Sequence, residues 1–192
     1  MLKASIAVLA GLAILPAAAP NPRVALDTEL GRIVVELDPQ HAPVTTANFL
    51  KYIDAHHYDG GVFHRTVKPD NQPQSPIKIE VVQAGVNPAR ENAGFPRIPL
   101  ERTDKTGLKH LNGTISMARS GPDTATSDFF ICINDQPELD FGGKRNPDGQ
   151  GFAAFGRVTE GLDVVRKIQQ APAKAQSLQP PVKIIKAQRL AK

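Results

Sequence analysis

Cysteine, tryptophan and blocks of like charge are scarce or missing in this sequence of 192 residues. The lone Cys132 excludes an intramolecular disulfide and a cysteine-based metal cage, although a dimer joined through its thiol stays open. The 23 basic and 19 acidic residues are spread along the chain, so no basic arm for nucleic acid stands out. We therefore expect no nucleic-acid partner, and we take the chain to be a monomer.

The familiar catalytic motifs are missing as well. The five histidines do not form a metal-binding spacing such as HExxH, no serine lies in a GxSxG elbow, and no glycine-rich loop has the strand-to-helix context of a phosphate site. We expect no metal and no cofactor. Whatever the protein does must rely on ordinary side chains.

The first nineteen residues differ in composition from the rest. A positive start, MLK, precedes the apolar run SIAVLAGLAIL and the small residues PAAA, a pattern typical of a secretory signal peptide. The run is too short for a comfortable membrane span. We expect residues 1–19 to be removed, residues 20–192 to form one domain without stable membrane insertion, and the protein to be periplasmic or secreted. Cleavage after Ala19 would leave Pro20 as the first residue, which signal peptidases tolerate badly. Two alternatives are therefore kept: cleavage at a nearby position, and retention of residues 1–19 as an N-terminal anchor.

The sequence after residue 19 predicts seven or eight short strands and two helices. Strands and helices do not alternate along the chain. The helices are APVTTANFLKYI and EGLDVVRKIQQAP, and the proline-rich residues 68–76 predict a surface loop. The strands are predicted in residues 24–39 (a hairpin), 62–67, 77–85, 113–120, 128–134, 151–158 and 180–190. This order favours a closed or sandwiched antiparallel sheet over a parallel α/β fold.

Arg65 is an unexpected residue in the apolar strand VFHRTV, because a buried guanidinium without a partner is costly. Strand alternation places Phe63, Arg65 and Val67 on one face and His64 and Thr66 on the other. From these local features alone, the simplest interpretation is that Arg65 faces water. Further polar residues in or next to predicted strands are Gln83, Arg119 and Asp128.

Several motifs in a fixed order give a second interpretation. VFHRTV, VVQAG, GTISMARSGPDTATSDFFICIND and FAAFGRVTEGLDVVRKI, together with the helix APVTTANFLKYI, resemble the cyclophilin-type peptidyl-prolyl cis-trans isomerases. The resemblance covers roughly residues 24–190. It implies a mainly β fold, an eight-stranded closed antiparallel barrel capped by two α-helices. It also implies that proline-containing polypeptides are the partners.

The resemblance also assigns roles to residues. Arg65 would stabilise the twisted amide, Gln83 would orient Arg65, and Phe130 would form the proline pocket. A second set matches substrate-contacting positions: His64, Val81, Ala118, Arg119, Ser120, Asp128, Leu139 and Phe152. X-Pro rotation makes no covalent bond and moves no proton, so this activity fits a chain without a triad, metal or cofactor.

Three acidic residues depart from the family pattern. Glu80 stands where a pocket Phe is usual, although the long preceding loop leaves the register open and Ile79 could fill the pocket instead. Asp128 replaces a usual Gln, and Glu138 replaces an aromatic residue beside the pocket. These changes predict a smaller, more acidic pocket. They keep open an alternative function, a proline-peptide-binding chaperone or scaffold with little catalytic activity.

Overall fold

Strands dominate the part of the chain that the computed structural model describes, residues 20–191. The predicted signal peptide, residues 1–19, lies outside the described residues. The strands are β1 (Arg23–Thr28), β2 (Gly31–Leu37), β3 (Val62–Val67), β4 (Val81–Gly85), β5 (Thr114–Met117), β6 (Phe129–Cys132), β7 (Ala153–Glu160), β8 (Ala173–Lys174) and β9 (Ser177–Arg189). The helices are α1 (Pro43–Asp54), α2 (Thr103–Thr106) and α3 (Leu162–Gln170), and short 3₁₀-helices span Pro69–Asn71, Pro88–Ala93 and Pro137–Leu139.

The sheet closes on itself. Its order is β1-β2-β7-β5-β6-β4-β3-β9, every pairing is antiparallel, and β9 pairs back onto β1, with Ala25 opposite Gln188. The two-residue β8 pairs with β9 and stays outside this ring. The predicted eight-stranded antiparallel barrel is therefore confirmed, and closure leaves no long unpaired edge.

The two predicted long helices are present and pack against the barrel. α1 starts with Pro43, which needs no amide partner, and the Glu101 carboxylate accepts the N–H groups of Val44 and Thr45 at 3.0 and 2.8 Å. α3 starts after Gly161, whose φ of 84° suits glycine. α3 buries Val165 and Ile168 against the sheet.

Alternating residues of β6 separate two apolar clusters. Phe129 and Ile131 point into the barrel, where Phe129 packs edge-on against Phe49 with ring centroids 5.4 Å apart. Phe130 and Cys132 point outward into a smaller cluster. The thiol of Cys132 is completely buried there, so a disulfide to a second chain would require this cluster to open.

The predicted facing of β3 holds for Arg65 and Val67, which share the outer side, but is wrong for Phe63, because a β-bulge interrupts the alternation. Phe63 pairs with Ala84 and faces the barrel core, whereas Arg65 pairs with Gln83 and faces outward. The register shift falls between Phe63 and Arg65, which makes His64 the extra residue. The bulge thus delivers Arg65 to the outer face, and it separates Arg65 from the core residue two positions before it.

The segment before β4 also differs from the prediction. The strand predicted for residues 77–85 begins only at Val81, because the side chain of Gln72 supplies the hydrogen bonds that a neighbouring strand would have made. Gln72 Nε2 donates to the carbonyl of Ile79 at 2.8 Å, and the amide of Ile79 donates back to Gln72 Oε1 at 3.3 Å. Gln72 is buried, so the loop of residues 68–76 is anchored at this point rather than wholly on the surface.

Candidate active site

The outward cluster forms the floor of a cavity of about 270 Å³ on the outer face of β3, β4 and β6. Its lining residues are Arg65, Ile79, Val81, Gln83, Ala118, Arg119, Phe130, Leu139, Arg145, Asn146 and Phe152. Eight of the sequence-predicted site residues are among them, and His64, Ser120 and Asp128 are not. A larger groove of about 440 Å³, beside β2, β7 and residues 107–111, contains none of the predicted site residues.

The floor of the cavity is aromatic and aliphatic. Phe130 and Phe152 meet edge to face, with ring centroids 5.3 Å apart. Ile79 and Val81 both line the cavity, whereas Glu80 between them points away and accepts hydrogen bonds from Asn134 and Gln169. Both neighbours of Glu80 thus line the pocket, and Glu80 itself does not. Such a slot suits a compact apolar ring like that of proline.

Arg65 is held at the edge of this slot by two neutral amides. Its Nη1 donates to Gln83 Oε1 at 3.1 Å, and its Nε and Nη2 both donate to Gln176 Oε1, at 3.0 and 2.6 Å. Within residues 20–191, no carboxylate forms an ion pair with Arg65. Burial lowers the pKa of the guanidinium, which nevertheless remains protonated near neutral pH. The arrangement fixes the cation without quenching its charge.

Asp128 fixes the orientation of the Gln83 amide. Gln83 Nε2 donates to Asp128 Oδ2 at 3.2 Å, so the other end of the amide, Oε1, faces Arg65. Asp128 is also 3.7 Å from His64 Nε2. Burial raises the pKa of the Asp128 carboxyl, against the opposing effect of His64. His64 and Asp128 are thus linked to the site through Gln83 and do not line the cavity.

A buried polar network supports the back of Phe130. The His110 ring stacks on Phe130, with centroids 6.0 Å apart and planes 16° apart. His110 Nδ1 lies 2.8 Å from Asp140 Oδ1, and Nε2 lies 2.9 Å from Ser116 Oγ. Burial lowers the pKa of His110, against the opposing effect of Asp140. Ser116 is completely buried, so this Ser-His-Asp arrangement cannot reach a substrate and is not a hydrolase triad.

Arg119 stabilises the cavity wall through hydrogen bonds to the loop before β7. Its side chain is only 1% exposed, and it makes two hydrogen bonds to Asp148 and two to the carbonyl of Gly151. Gly151 has a φ of 65°, and a Cβ there would lie 2.5 Å from the backbone of Asp140, so the turn requires glycine. These contacts fix the loop that brings Phe152 to the cavity. Arg119 is not free to bind a substrate charge.

Ala118 and Ser120, the neighbours of Arg119 in the sequence, lie at the rim of the cavity. The backbone N–H of each already donates a hydrogen bond within the protein. The amide of Ala118 donates to the carbonyl of Asp128 at 2.8 Å, and that of Ser120 donates to Thr124 Oγ1 at 3.1 Å. Ala118 lines the cavity, and Ser120 is exposed beside it. An extended peptide would have to use the remaining backbone groups of this segment.

The predicted acidic character of the pocket is wrong. Glu138 is half-buried, and its carboxylate accepts a hydrogen bond from the amide of Lys144 at 2.7 Å; it is not among the residues that line the cavity. Among the residues that the structure describes, the lining contains no Asp or Glu and three arginines. Two of the lining residues, Arg145 and Asn146, come from the long loop after Leu139 and were not predicted from the sequence.

Gln176 was missed because nothing in its local sequence marks it. It lies just before β9, far from Arg65 along the chain, and only barrel closure brings the two together. A glutamine outside any strand or motif carries no pattern that sequence reasoning could use. Its contribution to the site is a second neutral acceptor for the Arg65 guanidinium.

We expect Gln176→Ala to lower kcat by about tenfold with little change in KM, because Arg65 loses two of its three fixed hydrogen bonds. Steady-state kinetics on a proline-containing peptide measures both constants. Gln40→Ala, an exposed glutamine, is the matched control. A rise in KM with unchanged kcat would show that Gln176 contributes to binding and does not position Arg65.

Residues 20–191 contain neither a cluster of metal ligands nor a helix that could span a membrane. No group of three or more His, Cys, Asp or Glu side chains there is arranged to hold a metal ion. No helix in the same range is long and apolar enough to cross a membrane.

Comparison with known proteins gives consistent matches. The family model described as cyclophilin type peptidyl-prolyl cis-trans isomerase/CLD matches residues 23–189. The peptidyl-prolyl cis-trans isomerase cyp18 of Streptomyces antibioticus is 39% identical over 147 residues, 76% of this chain and 82% of that protein. A peptidyl-prolyl cis-trans isomerase of Acinetobacter baylyi is 35% identical over 194 residues, which cover 98% of this chain and 96% of the relative.

Solved structures share the fold. A crystal structure of a cyclophilin type peptidyl-prolyl cis-trans isomerase from Cryptosporidium parvum superposes with a TM-score of 0.71 at 21% identity, covering 90% of this chain and 99% of that chain. A second structure, of the same protein in the presence of the dipeptide Ala-Pro, gives a TM-score of 0.70. At this identity the likeness concerns the barrel alone.

Proposed function

The chain belongs to the cyclophilin-type peptidyl-prolyl cis-trans isomerase family, and we propose that it accelerates X-Pro rotation by seating proline beside Phe130 and stabilising the twisted amide with Arg65. The observation that supports this mechanism is the position of Arg65, a cation held only by neutral acceptors at the edge of an apolar slot. The proposal requires no metal, cofactor or nucleophile.

The chemistry explains why such a cation is sufficient. Rotation about an X-Pro bond must break amide resonance, and the barrier is about 18–20 kcal/mol. In the twisted state the prolyl nitrogen recovers its lone pair and becomes a hydrogen-bond acceptor. A fixed N–H donor with a full positive charge binds that nitrogen more strongly than the planar amide, which is the differential binding that lowers a barrier.

The neutrality of the two acceptors matters for the same reason. A carboxylate in the place of Gln83 or Gln176 would draw the charge of Arg65 toward itself and weaken its pull on the prolyl nitrogen. Amide oxygens fix the guanidinium plane at a smaller electrostatic cost. Phe130 in turn is fixed by Phe152 and His110, so the proline ring meets a rigid wall.

The alternative function, a binding module with little catalysis, depended on Glu80 and Glu138. Both carboxylates bind protein groups outside the cavity, so neither disturbs the slot. The two functions are separated by exchange NMR on an Ala-Ala-Pro-Phe peptide, which reports binding and cis-trans interconversion together. Accelerated interconversion supports the isomerase. Binding without acceleration would instead support the binding module.

We further propose that the substrates are exported proteins and that residues 1–19 direct export. The support is the leader-like composition of that segment. Expression of the full chain in a bacterial host, followed by fractionation and intact-mass measurement, is expected to give a periplasmic or secreted species lacking about the first nineteen residues. A full-length species in the cytosol would contradict export, and a full-length species in the membrane fraction would contradict cleavage.

A further inference from the structure

Arg145 bridges two loops across the cavity. It belongs to the loop between Leu139 and β7, and its Nη1 reaches the opposite loop of residues 72–77. Three acceptors share the two N–H groups of that nitrogen: Gln72 Oε1 at 2.8 Å, Ser75 Oγ at 2.7 Å and the carbonyl of Ile77 at 2.6 Å. Arg145 is therefore fixed at one corner of its guanidinium.

The opposite edge of the same guanidinium is open. Within residues 20–191, Nε and Nη2 of Arg145 have no hydrogen-bond acceptor, and neither is among the buried polar atoms that lack a partner. Arg145 lines the cavity, so a ligand there lies beside this guanidinium. The pair formed by Nε and Nη2 is one of the two edges through which arginine binds a carboxylate in bidentate fashion.

The charges around the cavity favour an anion. Arg119 is neutralised by Asp148, but neither Arg65 nor Arg145 pairs with a carboxylate among the described residues. Burial, and then the positive charge of Arg65, lower the pKa of Arg145. Two like charges in a partly desolvated cavity oppose folding, and an anionic group on a ligand would relieve that repulsion.

We propose that the open edge of Arg145 is a carboxylate subsite, and that the protein prefers prolines flanked by an Asp or Glu residue. This inference rests on the proposed isomerase function and adds the substrate class. Arg145 and Phe130 line one cavity of about 270 Å³, so a side chain on a residue next to the bound proline is within its reach. A carboxylate bound at Arg145 leaves Arg65 for the prolyl nitrogen.

The test uses three peptides that are acetylated and amidated, so that any carboxylate comes from a side chain. One has glutamate before the proline, one has glutamate after it, and one has glutamine at both positions. We expect one glutamate peptide to exceed the glutamine peptide in kcat/KM by about fivefold, the size of a partly exposed bidentate ion pair. Because salt screens such pairs, the ratio should approach one at about 0.5 M salt.

Two variants identify the residue responsible. Arg145→Gln is expected to bring the glutamate-to-glutamine ratio to about one, whereas Lys144→Gln, which removes the same charge from the neighbouring exposed side chain, keeps the ratio. If Arg145 only joined the two loops, Arg145→Gln would lower kcat/KM for the glutamate and glutamine peptides alike and leave their ratio unchanged. The proposal is wrong if neither glutamate position is preferred, or if Arg145→Gln keeps the preference.

Failure of the subsite is distinguishable from failure of the proposed function. If the wild-type protein isomerises the glutamine peptide but does not prefer either glutamate peptide, only the Arg145 subsite is wrong. If the wild-type protein binds the peptides without isomerising them, the isomerase proposal fails. The subsite is then tested by the ratio of the peptide dissociation constants in the same variants, with the same expected values.

Discussion

Arg65→Ala is expected to lower kcat/KM for a proline-containing peptide by about a hundredfold to a thousandfold, with KM changed by no more than about threefold. The cation interacts strongly with the prolyl nitrogen only when the amide is twisted, so its removal should raise the barrier without weakening ground-state binding. The loss should therefore fall almost wholly on kcat. A protease-coupled assay on an Ala-Ala-Pro-Phe peptide provides both constants.

Two further variants sharpen this prediction. Arg65→Lys keeps a positive charge, but an ammonium cannot bond both Gln83 and Gln176 in a plane, so we expect it to lose at least about tenfold in kcat. Arg166→Ala removes an exposed arginine on α3 and should leave kcat/KM unchanged. If Arg65→Lys matched the wild type, charge alone would be sufficient and the fixed geometry would have no role.

Phe129→Ala is expected to lower the stability of the fold, whereas Phe130→Ala, at the adjacent residue, is expected to weaken substrate binding. Phe129 is completely buried inside the barrel and packs edge-on against Phe49, Tyr58 and Phe63, so its truncation should lower the free energy of unfolding by about 3–5 kcal/mol. Phe130 forms the floor of the proline slot. Its truncation should raise KM by about tenfold or more through loss of apolar contact with the ring.

Denaturant unfolding and peptide kinetics on both variants check this division. Phe130→Leu is the conservative partner: it keeps apolar volume in the outward cluster, so it should unfold nearly like the wild type and still raise KM. The account of the two clusters would be contradicted if Phe129→Ala raised KM more than Phe130→Ala in protein that is fully folded. It would also be contradicted if Phe130→Leu left KM unchanged.

Local patterns in the sequence were sufficient to predict most of the strands and both long helices, whereas closure into an eight-stranded barrel was implied by the family resemblance. The residue composition of DFFICIN marked β6, and the helical spacing of EGLDVVRKI marked α3. The predicted facing of β3 failed where periodicity is interrupted, at the bulge beside Arg65. A bulge adds one residue without any characteristic composition, so alternation alone cannot show it.

The site was predictable only where its residues lie in recognisable motifs. VFHRTV, VVQAG and DFFI contain Arg65, Gln83 and Phe130, and the structure brings all three to one cavity. Gln176 and Arg145 reach the same place from loops whose course depends on long-range hydrogen bonds. Glu138 shows the converse error: a sequence position beside the pocket does not fix a side chain, and its carboxylate bonds to the backbone of its own loop.

The most direct test of the central claim is the cis-trans interconversion rate of enzyme-bound peptide, measured by exchange NMR in the wild type and in Arg65→Ala with saturating protein. We expect the bound rate to fall by about a hundredfold or more. The dissociation constant, obtained from the same titration, should stay within about threefold of the wild-type value. An unchanged bound rate in Arg65→Ala would contradict the account, because the twisted amide would then not depend on the cation beside Phe130.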